Sequence, residues 1–381
     1  MNILIVIPYF GGVRGGNPDV VDLAVRLQKR GHTVIVLTAS YNNDLLYEEE
    51  HGVRIFRVKP VCYISKVDYG ISFPMLEFYK LMKSFDIEIV HGIMLIGTQT
   101  FSAAFLSSFF RKPFVLTVQG CQRAYVPYVD AVSTAFDYSV ARMVSLVAKK
   151  AIVLSENLSE RAHDIGFTRE KIRVVPTSIP YKRKFNPSFF DSNRIRKELG
   201  VDDKIVVCFV GRLVRLKGLS FLLHVQKMLQ KDIADLHLLI IGDGPEMGFV
   251  ESMSRKYGLN TTVIGWVNRD KVPFYLSAAD IFVNPSLTEG LPLTVMEAMA
   301  MQKAVVATDV GGTSDLVKNG ENGFIVPPGD VRSLANAVKT LALNDKLRLN
   351  MGFAGRDIIK RSFDWDTIVR KIEKVYEEAL C

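Results

Sequence analysis

The sequence predicts an α/β protein of two domains, each a parallel sheet with helices on both faces. Three observations lead there. A chain of 381 residues is longer than one ordinary hydrophobic core supports. Short runs rich in β-branched residues alternate with helical patterns, which marks βαβ units. The alternation comes in two series, separated by the polar stretch at 181–193 (YKRKFNPSFFDSN).

The first series opens with the apolar run NILIVI at 2–7, a pattern of buried parallel strands. A glycine-rich loop follows from Gly11 to Gly16. Asn17 is placed to cap a helix, and Pro18 suits its first position. Val20, Ala24 and Leu27 then recur at helical spacing, Gly31 ends the helix, and strand character returns at 33–38. Further strands are predicted at 87–90, 114–118, 151–154 and 172–175. The second series places strands at 205–210, 236–241, 262–264, 281–283, 304–307 and 324–326. The last segment, from residue 363, carries Ile368, Ile372, Val375 and Tyr376 on one stripe. The expected division is therefore 1–185, 186–362, and a C-terminal helix over 363–381 packing back across the N-terminal domain. In parallel sheets ligands bind beyond the carboxyl ends of the strands, so two facing domains would hold a cleft between those ends.

With 48% hydrophobic and 23% charged residues the composition is globular. No basic leader runs into a cleavable apolar segment, and no apolar stretch is long enough for a bilayer. A cytoplasmic protein is expected, at most peripheral at a membrane. Cys62, Cys121, Cys208 and Cys381 lack the spacing of a zinc knuckle or redox pair, so reduced thiols are expected. The net charge of +8 is uneven. Residues 1–190 hold 23 Lys and Arg against 16 Asp and Glu, whereas 191–381 hold 25 against 24. A basic N-terminal half can attract phosphates or simply be solvated.

The strongest chemical signal is NPSLTEGLPLTVMEAMAMQKAVVATDVGG at 284–312. A strand ends there, and a loop with Glu289, Gly290 and Pro292 leads into a helix. The Leu293 and Thr294 amides would sit at the positive end of that helix, which favours a phosphate. Glu289 before the helix and Glu297 inside it could accept hydrogen bonds from hydroxyls on either side of a diphosphate. The second signal is FVGRLVRLKG at 209–218, where Arg212 and Lys217 follow a strand and could neutralise a departing diphosphate. Solvated cations are the plainer alternative. The third, LLIIGDGPE at 238–246, reads as a tight turn at Asp243. Gly15 and Gly16 alone signal only a turn. Neither a GxGxxG fingerprint nor a Walker loop is present, which argues against a dinucleotide-binding oxidoreductase.

Taken in order, these motifs resemble the group 1 glycosyltransferases, family four of the retaining enzymes, whose GT-B fold pairs two Rossmann-like domains across a deep cleft. The resemblance spans essentially the whole chain. It includes the GG loop, RGH at 30–32, VHG at 90–92, VGRL…KG at 210–218, GDGP at 242–245, the E-x7-E motif EGLPLTVME at 289–297, and NGENGFIVPPGD at 319–330. It implies that Glu297 holds the ribose hydroxyls, Glu289 the donor sugar, and Arg212 and Lys217 the diphosphate. Backbone across Gly290, Leu291, Leu293 and Thr294 would line the β-phosphate and sugar, and Gly15 and Gly16 would approach the diphosphate. His91 and Gln119 are candidates for sugar or acceptor contact, although His91 suits a structural role as well. Gln119 stands where the family often has His and cannot shuttle protons. Thr177 and Ser178 replace a common Asn-Gly.

The resemblance also implies a hexose-type sugar passed with retention from a nucleotide diphosphate donor, most commonly a UDP-sugar, to a lipid-linked or saccharide acceptor. No cofactor, no nucleic-acid partner and no metal are expected. The lone D-x-D, Asp364–Asp366, opens the C-terminal helix and reads as capping. A nucleotide-sugar epimerase or hydrolase of the same fold, and a silent sugar-nucleotide-binding module, are the competing classes. The segments MLEFYKLMKSF at 75–85 and AAFLSSFFRK at 103–112 mix apolar and basic residues. They suit either an anionic membrane surface or ordinary packing on the N-terminal sheet.

Overall fold

The structure, a computed structural model, describes residues 1–10, 17–40, 45–64, 69–94, 98–120 and 137–381. The chain divides into two compact units, Met1–Thr177 with Trp365–Cys381, and Ser178–Asp364.

The first unit contains β1 (Asn2–Val6), β2 (Thr33–Ala39), β3 (Tyr47–Glu50), β4 (Val53–Val58), a two-stranded ribbon of β5 (Cys62–Ile64) and β6 (Tyr69–Ile71), then β7 (Ile89–Ile93), β8 (Phe114–Val118), β9 (Lys150–Val153) and β10 (Ile172–Val174). Its main sheet runs β10-β9-β8-β7-β1-β2-β4-β3, parallel except where β3 turns back along β4. The second unit contains β11 (Ile205–Val210), β12 (Leu236–Ile241), β13 (Thr261–Gly265), β14 (Ile281–Asn284), β15 (Ala304–Thr308) and β16 (Gly323–Val326). They form an all-parallel sheet in the order β13-β12-β11-β14-β15-β16. Helices cover both faces, so inner strands such as Ile3–Val6 and Val206–Phe209 are buried on both sides.

The hairpin β3–β4 lies outside the strands the sequence predicts. β4 alternates buried Val53, Ile55 and Arg57 with half-buried neighbours, the period-2 signature of an edge, but two arginines in VRIFRV mask it. Asn17 does not cap its helix (Pro18–Lys29), as no side-chain bond reaches the first turn. Its amide instead points back to Tyr9 O at 3.4 Å.

The polar stretch read as a linker is not one. The chain passes between units at Thr177/Ser178 and again at Asp364/Trp365, rather than after 185 and 362. Phe185 is fully buried in the second unit, where the Arg356 guanidinium donates to Phe185 O and Asn186 Oδ1 at 3.1 Å each, and also to Ala300 O. Asp364 of the D-x-D pair accepts from Lys182 Nζ at 2.6 Å and from the Tyr181 hydroxyl at 3.1 Å. Polar composition hid two aromatic anchors.

The C-terminal helix Trp365–Leu380 belongs to the core of the first unit. Ile368, Val369, Ile372, Val375 and Tyr376 pack with Ile3, Val34, Ile89, Val115 and Ile152. Arg30 grips Glu373 with both arms of its fork, at 2.6 and 2.8 Å, and His32 Nε2 lies 2.9 Å from the same carboxylate. Arg173 and Lys150 hold Glu378.

Candidate functional site

In the second sheet β11 lies between β12 and β14, so the chain order reverses there, and it is beyond the strand ends at such a reversal that parallel sheets bind ligands. Three loops meet at this point. The segment 211–218 follows β11, 242–246 follows β12, and 285–292 follows β14. They are zipped together by backbone. Leu213 N–H donates to Asp243 O at 2.9 Å, Glu246 N–H to Leu213 O at 2.9 Å, and Leu287 N–H to Leu216 O at 2.8 Å. Contact this close excludes side chains. A Cβ on Gly218, whose φ is +67°, would stand 2.0 Å from Pro285 O, and one on Gly242 would stand 1.9 Å from Gly211 O. Asp243 is the tight turn expected, its carboxylate accepting from Gly244 N–H at 2.6 Å. Gly311, with φ +55°, seats the next loop against Glu289 O, and Gly312 N–H donates to Gly290 O at 2.6 Å.

The helix Leu293–Ala300 starts at this junction after Pro292, and no side chain caps it. Among the described residues no side chain occupies its first-turn amides, and these together with the helix dipole favour a negatively charged group there. Leu291 is buried, while Leu293 and Thr294 are half-buried.

Both carboxylates of the E-x7-E motif lie here, with side chains only 9% and 5% exposed. Each is held by one oxygen. Around Glu289 Oε1 converge Lys217 Nζ at 2.6 Å, the Ser286 hydroxyl at 2.7 Å and Asn284 Nδ2 at 3.3 Å. On Glu297 Oε1 converge Arg269 Nη2 at 2.8 Å and Nε at 3.2 Å. Among the described residues none bonds either Oε2. Burial pushes the Glu297 carboxyl above its ordinary range, against the opposing pull of Arg269. Arg212 is exposed on the loop after β11. Lys217 is thus paired with Glu289, although an ammonium has two further protons to offer.

Sequence reasoning missed Arg269, Asn284 and Ser286 as parts of this cluster. Asn284 and Ser286 stood inside the quoted motif. Nothing in the sequence links Arg269, 28 positions before Glu297, to that residue.

The remaining candidates belong to the first unit. His91 is buried on β7, with Nδ1 2.8 Å from the Tyr376 hydroxyl and Nε2 2.7 Å from Thr117 Oγ1. Both nitrogens are occupied, and burial lowers its pKa to about 3. It is a core residue tying the C-terminal helix to the sheet, which removes it from sugar contact. Gln119 follows β8 and lines a small pocket with Asp19, Thr117, Thr177 and Trp365. Gly15 and Gly16 lie outside the described residues.

Comparison with known proteins adds family evidence. Residues 191–358 match the family described as glycosyl transferases group 1, and residues 13–183 match glycosyltransferase family 4. An uncharacterised glycosyltransferase of Methanocaldococcus jannaschii is 27% identical over 372 residues, covering 94% of this chain and 93% of that one. Sucrose-phosphate synthase from Thermosynechococcus elongatus superposes with a TM-score of 0.82 at 22% identity, covering 99% of this chain and 98% of that one. Anabaena HepE, solved in complex with UDP-glucose, superposes with a TM-score of 0.79 at 21% identity over 99% of both chains.

Proposed function

Because the chain belongs to the group 1 glycosyltransferases and has their GT-B fold, we propose that it transfers a hexose-type sugar from a UDP-sugar to a lipid-linked or saccharide acceptor, with retention and without a metal ion. One observation carries this reading. Two buried carboxylates, each with one oxygen open, flank the uncapped start of the helix Leu293–Ala300 at the point where the sheet order reverses. An anion with hydroxyls on both sides fits that arrangement, and a nucleotide diphosphate sugar is such a molecule. UDP is favoured by HepE, which was solved with UDP-glucose.

In this reading the diphosphate sits on the Leu293 and Thr294 amides, beside the backbone of Gly290 and Leu291. Glu297 Oε2 takes the ribose diol and Glu289 Oε2 a sugar hydroxyl. The bond from the anomeric carbon to the β-phosphate oxygen breaks, and negative charge grows on the diphosphate. Lys217 and Arg212 stabilise that charge more in the transition state than in the ground state, which lowers the barrier. The acceptor oxygen bonds the anomeric carbon from the face the diphosphate leaves, and its proton passes to the departing phosphate oxygen. Lys217, bridging Glu289 and phosphate, couples sugar position to leaving-group charge. By family resemblance Gln119 contributes a hydrogen bond near the sugar, and Gly15 and Gly16 approach the diphosphate.

The first unit carries the acceptor in this proposal and docks on anionic membranes. Its neighbouring helices Met75–Ser84, Thr98–Phe109 and Arg142–Val147 expose Leu76, Phe105, Phe109 and Leu146. Exposed Lys80, Lys83, Arg111, Arg142 and Lys149 lie among them.

The test is nucleotide release from UDP-, ADP- and GDP-sugars, with and without glycan and glycolipid acceptors, and the anomeric configuration of the product. Acceptor-dependent UDP release with a retained anomer is expected. Acceptor-independent conversion of the donor would indicate an epimerase or hydrolase instead.

A further inference from the structure

Arg269 stands on the short turn Arg269–Lys271 that follows β13. The Asn268 side chain accepts from Asp270 N–H at 3.0 Å, and Gly242 N–H donates to Gly265 O at 2.9 Å, so the turn is fixed to the loops of the donor site. From there the guanidinium reaches Glu297 in an unusual way. Arginine normally meets a carboxylate as a fork, one N–H to each oxygen. Arg30 does so with Glu373 in this same chain. Arg269 instead sends Nε and Nη2 to Oε1 alone, although the carboxylate is more deeply buried than Glu373. A pair serving only stability would gain by using both oxygens. This pair leaves one unspent at the place where the ligand is expected.

We propose that Arg269 is a positioning residue for Glu297, holding its carboxylate ionised and turned so that Oε2 is presented to the ribose diol of the nucleotide. The inference rests on the donor-site reading above. Its physical basis is the cost of a buried charge. Glu297 sits on a helix with apolar neighbours Val295, Met296, Ala298 and Met299, all buried. Burial favours the neutral acid, and Arg269 is the charged group that opposes this. Two other cations close to this helix, Arg356 on the packed helix Asp345–Ser362 and Lys303 just past its end, are spent on Ala300 O, Phe185 O and Asn186, and on Ser277 O, rather than on Glu297. Without Arg269 the carboxyl would take up a proton closer to neutrality. A neutral acid accepts hydroxyls more weakly than a carboxylate does.

The test measures binding of UDP, ADP and GDP to the intact protein by calorimetry from pH 6 to 8.5. The nucleotide that binds best is then compared with its 2′-deoxy form. In the wild type, affinity for the two forms should differ by a roughly constant factor across this range. Arg269→Gln should lose affinity relative to wild type by about tenfold more at pH 6 than at pH 8.5, since one pKa unit corresponds to a factor of ten. Its preference for the 2′-hydroxyl should fade as pH falls. Arg269→Lys, which keeps the charge, should restore the flat profile. The double variant Arg269→Gln/Glu297→Gln carries no buried uncompensated charge, so it should fold even if the single variant does not, and its profile should be flat relative to wild type. An Arg269→Gln profile parallel to wild type with an unchanged 2′-hydroxyl preference overturns the inference, as does a slope that survives in the double variant. Failure of the wild type to bind any of the three nucleotides would instead overturn the donor-site reading itself.

Discussion

At the scale of single residues, the second unit separates side chains that build the site from those that would use it. Gly218 and Gly242 build it, since their backbones pass other loops too closely for a Cβ. Gly218→Ala should therefore cost stability at the upper end of the about 1–3 kcal/mol typical of overpacking, read from urea unfolding. An unchanged midpoint would mean that the loops part easily. Glu297 and Lys217 would use it. Glu297→Ala should weaken nucleoside diphosphate binding by about 1.5–3 kcal/mol, the worth of a charged hydrogen bond. Unaltered affinity would remove it from the ribose contact. Lys217→Ala should lower kcat more than it raises KM, because the charge it meets develops only as the bond breaks. An effect confined to KM would make it a ground-state contact. The same substitution leaves Glu289 to Ser286 and Asn284, so the fold should survive.

At the scale of elements, two of the sequence motifs serve to attach the C-terminal helix. The RGH and VHG segments supply Arg30, His32 and His91, and all three hold the helix Trp365–Leu380 through Glu373 and Tyr376. His91 also makes this attachment sensitive to acid. Its pKa is lowered to about 3 in the fold and returns to about 6.5 when the chain unfolds. The unfolded chain then binds the extra proton. The stabilising contribution is complete above pH 6.5 and declines as pH falls towards 3, by up to about 1.4 kcal/mol per unit. His91→Gln should flatten this part of the profile. Urea midpoints followed from pH 7 to 5 should drop further in the wild type than in the variant, and parallel curves would contradict the assignment.

At the scale of the whole molecule, the charge excess and most of the large exposed apolar side chains among the described residues fall in the same half of the chain. The helices Met75–Ser84 and Thr98–Phe109 contain most of the two segments singled out in the sequence, and Arg142–Val147 adds exposed Met143 and Leu146 beside them. Among the described residues no helix is long and apolar enough to cross a membrane. Surface docking by rings and cations should respond to salt and to lipid charge. Sedimentation with anionic vesicles at low salt should recover the protein, with less recovery at high salt or with neutral lipid. Equal recovery from both vesicle types, or none, would remove the membrane proposal and leave the transferase reading intact. Turnover should also persist in chelator, and activity lost there and restored by a divalent ion would refute the metal-independent mechanism.

The sequence by itself determined the two βαβ series, the strand ends that carry the loops, and the identity of Glu289, Glu297, Arg212 and Lys217 as candidates. These are local matters, because buried parallel strands are continuous apolar runs and helix starts depend on the few residues around them. Tertiary structure decided the rest. Arg269 meets Glu297 from 28 positions away, His91 is spent on Tyr376, 285 positions further along the chain, and Phe185 turns a polar stretch into packed structure. Composition within a window does not encode which distant groups come within hydrogen-bond reach. That depends on strand pairing, and the parallel pairing of β13, β12, β11 and β14 is what brings the turn after β13 and the helix after β14 to the same end of one sheet.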